Sequence, residues 1–135
     1  MDHAYEKPSL LARYQSSFID ALVLLTALVI LSMALDALGD VPGWVRVVLI
    51  GAMLLYEPVL TAYACTLGQK VMRIRVRDAN SLRGNGPGQR LNLPMSVWRF
   101  MMKSMMGWLS FVTIHSNPER RAIHDFAAGS VMIRY

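Results

Sequence analysis

The sequence predicts an all-α membrane protein: a two-span transmembrane helical hairpin, a third amphipathic or re-entrant helical segment, and a small cytoplasmic strand pair. Three observations lead there. Apolar residues make up 54% of the 135 residues and charged residues only 17%, against roughly 25% charged in typical soluble domains. Two long apolar runs flank a tight turn. A densely basic segment follows the second run, and a short apolar pattern closes the chain. The length allows one domain, 1–135, because a single core commonly uses about 100–150 residues. The 14 Lys+Arg against 9 Asp+Glu leave a net charge of +5, and the single cysteine, Cys65, cannot form an internal disulfide.

Residues 1–14 are polar, with Pro8 as a breaker. The first span is expected at about 16–38, because the 23 residues Ser16–Leu38 give about 34 Å of helix for a hydrocarbon core of about 30 Å. A signal peptide is the competing reading. Asp2 and Glu6 offset Lys7 and Arg13 in the leader, and the run exceeds the about 7–15 residues of a signal core, so a retained span is expected. Leu38–Trp44 holds Gly39-Asp40 and Pro42-Gly43, a tight turn. The second span is expected at about 44–66. Trp44 suits an interfacial anchor and Arg46 can snorkel to the headgroups, while Pro58 should kink the helix near the carbonyl of Leu54.

In the basic segment 67–92, Lys70, Arg73, Arg75, Arg77, Arg83 and Arg90 oppose a single acid, Asp78. Val71–Val76 alternates, with Met72, Ile74 and Val76 on the apolar side, as in a half-buried strand. Residues 80–88 read as a loop, and Ser130–Tyr135 as a second short strand. The third segment, 93–114, is about long enough to cross, yet Arg99 and Lys103 lie four residues apart on one helical face. An interfacial amphipathic helix, a re-entrant hairpin and a third span all fit, with Gly107 as a possible break. Charge bias puts the N-terminus and the basic segment in the cytoplasm. A single crossing at 93–114 would strand Arg120, Arg121 and Arg134 outside and prevent Val71–Val76 from pairing with Val131–Tyr135. The third segment is therefore expected in or dipping into the inner leaflet, with the tail 115–135 returned to the cytoplasm.

Asp20 lies about 6 Å beyond Ser16 by helical rise, and Arg13 precedes it by two turns on nearly the same face. Glu57 lies about 12 Å from the end of the second span, so both carboxylates sit in the inner half of the membrane. An ionised group at mid-bilayer costs about 2.5–3.5 kcal/mol on insertion scales, so such groups find partners. Arg99 and Lys103 are the expected partners from the third segment, and Arg13 from the interface. Asp20 reads as a structural pairing or helix anchor as readily as a functional acid. Glu57 reads either as an ion or proton site or as a simple pair with a basic side chain.

Other signals are weaker. His115, His124, Asp125 and Cys65 lack compact metal-ligand spacing, so no metal site is expected. The Met101–Met106 run suits copper(I) chemically, but methionine is a common apolar filler. The arginines from Arg73 to Arg90 fit anionic lipid headgroups better than nucleic acid beside a membrane hairpin. No nucleophile–base constellation, phosphate loop or cofactor fingerprint stands in the chain, so neither enzymatic activity nor a cofactor is expected.

The motifs LARYQSSFID, TLGQKVMRIRV (Thr66–Val76) and RRAIHDFAAGSVMIRY, in this order and spacing, resemble the RDD family of small prokaryotic membrane proteins, over nearly the whole chain from Leu11 to Tyr135. The family is named for one arginine and two aspartates, here Arg13, Asp20 and Asp125. The short outer turn and the Met-rich third segment depart from its common pattern. The resemblance implies a multi-pass protein of the prokaryotic plasma (inner) membrane and, from the sodium/proton antiport linked to some members, exchange of a monovalent cation for protons. Asp20 would be the deeper cation- or proton-binding carboxylate, and Asp125 would pair with Arg13 at the cytoplasmic mouth. An Arg–Asp lock tying the C-terminal strand to the first helix is the alternative role for that pair. Two spans enclose too little for a pathway, so a homo-oligomer is expected. A non-transporting membrane scaffold or accessory subunit, packed beside partner proteins, is the other function class.

Overall fold

The computed structural model describes residues 6–82, 88–107, 109, 113 and 121–134. Helix α1 runs Leu10–Ala37, opened by Ser9, whose hydroxyl accepts from the Ala12 amide at 3.2 Å. Its 28 residues reach about 42 Å, so the span expected to begin at 16 lies within a longer helix. The cap, rather than the start of the apolar run, sets where coiling begins.

After the turn come α2, Gly43–Leu54, and α3, Tyr56–Tyr63. Leu55 separates them, because Pro58 has no N–H for the carbonyl of Leu54 and the ladder fails there. The second span was expected to reach 66; instead Ala64 leaves helical conformation at φ −145°, ψ −105°. Cys65 therefore lies beyond the span. Leu10–Ala37 and Gly43–Tyr63 are each long and apolar enough to cross a membrane. Phe18, Leu25, Ile30, Met33 and Val47 point outward, while Arg13, Ser16, Asp20, Thr61 and Arg99 are buried. An apolar exterior of this extent around a polar interior reverses the arrangement of a soluble domain. Near the turn Arg46 pairs with Asp36 at 2.7 Å.

A short helix α4, Leu67–Val71, follows Thr66, and Arg73 (φ 53°) turns the chain into β1, Ile74–Asp78. The strand expected at 71–76 thus starts at Ile74, because residues 67–71 coil under the Thr66 cap. After β1 come α5 (Ala79–Leu82), α6 (Leu93–Met106), α7 (Ile123–Ala127) and β2 (Ser130–Arg134). Strands β1 and β2 are antiparallel, in register from Ile74↔Arg134 to Asp78↔Ser130. Ile74 and Val76 face inward with Leu91 and Met132, a small apolar core. The Arg134 amide donates to the Glu6 carbonyl at 2.9 Å. The N-terminal residues, the basic segment and the C-terminal strand therefore gather at one end of the hairpin.

Helix α6 has 14 residues, about 21 Å, which is too short to cross about 30 Å of hydrocarbon. It ends at Gly107, φ 55°. Ser96 and Arg99 face inward, while Met95, Trp98, Met101 and Met105 are exposed, so α6 is amphipathic. Most of 108–120, with His115 and Arg120, lies outside the described residues, as do Arg83 and Tyr135.

Candidate functional site

Arg13, Ser16 and Asp20, three and four residues apart, share one face of α1 and are all buried. Around that face stand two polar clusters. The first centres on Asp125, in the first turn of α7. Its Oδ1 accepts from Arg99 Nε at 2.8 Å and from Ser130 Oγ at 3.4 Å, while Arg13 Nη1 lies 3.6 Å from Oδ2. Arg99 also reaches toward Glu57, 4.0 Å from Oε1, and Lys103 Nζ donates to that same oxygen at 2.5 Å. Arg121 donates to the carbonyls of Ser130 (2.9 Å) and Asp125 (3.3 Å) and lies over the Phe126 ring at 4.3 Å. Ser96 Oγ donates to the Pro58 carbonyl at 2.6 Å, seating α6 against α3. Arg13, Asp125, Arg99, Glu57 and Lys103 thus form one network joining α1, α3, α6 and α7.

Asp20 belongs to the second cluster. Its Oδ2 accepts from Thr66 Oγ1 at 2.6 Å and its Oδ1 from the Gly68 amide at 2.8 Å. Gln69 Nε2 donates to Thr61 Oγ1 at 3.3 Å beside it. Arg99, Lys103 and Arg13, expected as partners for the membrane carboxylates, do not reach Asp20. Arg99 is held by Asp125 and Lys103 by Glu57, and the start of α4 supplies neutral donors to Asp20 instead. Gly68 permits this approach, since a Cβ there would overlap the Ser16 carbonyl and lie 3.0 Å from Asp20 Cγ.

Burial alone would raise the Asp125 carboxyl, but the charges of Arg99, His124 and Arg13 and the Arg99 hydrogen bond hold it down at about 2. His124, with Nε2 3.5 Å from Asp125 Oδ1, is held at about 3 by burial and by Arg99 and Lys103, against Asp125 and Glu57. It is therefore neutral at pH 7. An unfolded histidine takes a proton near 6.5, so the unfolded chain binds more protons between about pH 6.5 and 3. Stability present above pH 6.5 is then lost as pH falls, by about 1.4 kcal/mol per unit. The melting temperature in detergent should fall between pH 7 and 5, with a shallower slope in His124→Gln. Equal slopes would contradict a neutral buried His124.

The sequence model of the RDD family matches residues 7–129, a span that contains Arg13, Asp20 and Asp125. The chain belongs to the RDD family. No curated protein and no solved structure gives a significant match. RDD membership and the two apolar helices together suggest an integral membrane protein. In this RDD protein the arginine meets the second aspartate, Asp125, and not the first. Among the described residues no group of three or more His, Cys, Asp or Glu is placed to hold a metal ion.

Several site residues escape sequence reasoning. Thr66 and Gly68 carry a readable signal, a helix cap followed by a glycine, but nothing local says that Asp20 meets them. Ser16 sits between Arg13 and Asp20 on their face. Arg121, Ser130 and His124 gather around Asp125 through contacts that no spacing reveals.

Proposed function

We propose that the protein is a multi-pass protein of the prokaryotic plasma membrane that exchanges a monovalent cation, such as sodium, for protons, as a homo-oligomer. The N-terminus, the basic segment and the C-terminal strand lie in the cytoplasm. Asp20 carries the exchangeable charge, and the Arg13–Asp125–Arg99 group is the lock that holds the cytoplasmic cap on the hairpin. One observation supports this division. Among the described residues no basic side chain lies within ion-pair distance of Asp20, whereas Asp125 has Arg13 and Arg99, and Glu57 has Lys103 and Arg99. A carboxylate paired with arginines has little left to offer a cation; one held by a hydroxyl and an amide has no fixed countercharge beside it among the described residues. Two spans enclose too little for a pathway, so several copies must assemble around it.

A non-transporting scaffold is the second reading, favoured by the exposed apolar sheath, whose breadth suits partner helices as well as lipid. The purified protein in liposomes, under an imposed sodium gradient with a pH-sensitive dye inside, separates the two. Sodium-dependent proton movement is expected. Folded protein that moves no protons would leave the scaffold.

A further inference from the structure

We propose that α4 and the turn after it form a seat for an anionic phospholipid, with the phosphate between Lys70 and Arg73 and the acyl chains against Leu67 and Val71. Gly68 and Gln69 pin one side of α4 inward, and Leu67, Lys70 and Val71 are exposed on the other. Leu67 and Val71 are four residues apart and so share a face, with Lys70 beside them. This face follows directly on the end of α3, where an apolar span gives way to polar chain. Apolar and basic groups exposed together at such a boundary match the two halves of a lipid, its acyl chains and its headgroup.

Arg73 strengthens the assignment. It occupies φ 53° just past the α4 cap, its amide donating to the Lys70 carbonyl at 3.2 Å. Glycine is the usual occupant of that position because a Cβ is strained there. An arginine in this place adds nothing to the turn; what it adds is a second exposed cation three residues after Lys70. Among the described residues no carboxylate lies within ion-pair distance of Lys70 or Arg73. At a bilayer surface the headgroups offer these two cations an anion.

The test uses the full chain, reconstituted in vesicles of equal phosphatidylglycerol and phosphatidylcholine, re-extracted, and weighed with its retained lipids by native mass spectrometry. Phosphatidylglycerol should be retained preferentially. The preference should fall about fivefold in Arg73→Gly and further in the Lys70→Gln/Arg73→Gly double variant. The melting temperature of Arg73→Gly should hold or rise, because glycine suits the turn. Added inorganic phosphate should leave the preference unchanged, since Leu67 and Val71 bind the chains. Four results would overturn the proposal: no preference in the wild type, an undiminished one in the double variant, its loss to free phosphate, or its loss together with a lowered melting temperature in Arg73→Gly.

Discussion

Asp125→Asn is expected to destabilise the protein by on the order of 4 kcal/mol, because removing one partner of a buried ion group leaves the others uncompensated. Asp125 and Arg13 are both fully buried, and Arg99 nearly so. Without the carboxylate, Arg13 loses its pair with Asp125, and among the described residues Arg99 keeps Glu57, 4.0 Å away and already bonded to Lys103. A loss of that size lowers the melting temperature in detergent by about 10 °C or more. Exchanging Arg13 and Asp125 would not repair the damage, since an arginine at position 125 would face Arg99. A melting temperature unchanged in Asp125→Asn would show that the network is incidental to the fold.

Gly68→Ala is the second large effect. The new methyl would fall on the Ser16 backbone, with the carbonyl carbon 2.8 Å away, and against the Asp20 carboxyl. Backbone cannot swing aside as a flexible side chain can, so α4 must move off α1 and the Gly68–Asp20 hydrogen bond lengthens or breaks. Overpacking of this kind costs about 3 kcal/mol, although alanine is intrinsically better than glycine in a helix by about 1 kcal/mol. Thermal melts of Gly68→Ala and of Gly51→Ala, whose Cβ would meet nothing within 4 Å, make the comparison. Loss is expected in the first and none in the second; equal behaviour would remove the close approach as the reason for Gly68.

The hairpin was legible because apolar run length and Gly/Pro turns are local signals, and so was the break that Pro58 makes. The alternation that turns Ile74 and Val76 inward also stood in the sequence, though not where the strand begins. Helix α4 took 67–71 because Thr66 caps it and Asp20, 46 residues away, holds the cap. Contacts of that range leave no trace in spacing. The seven-residue interval between Arg13 and Asp20 put both on one face; only the resemblance implied that Arg13, and not Asp20, would meet Asp125. That choice is made by α7, which carries Asp125 to Arg13 and Arg99, while the start of α4 closes over Asp20. A five-residue helix such as α7 has too little periodicity to be read in advance.

The central claim is that the acid held by neutral donors does the exchange while the acid held by arginines keeps the fold. The most direct test compares sodium-dependent proton movement in liposomes carrying wild-type protein or Asp20→Asn, each matched for folded protein by its melting curve. Asparagine keeps an oxygen to accept from Thr66 or the Gly68 amide but cannot carry charge, so the fold should persist and the proton movement should vanish. Movement at the wild-type rate in folded Asp20→Asn protein would contradict the assignment.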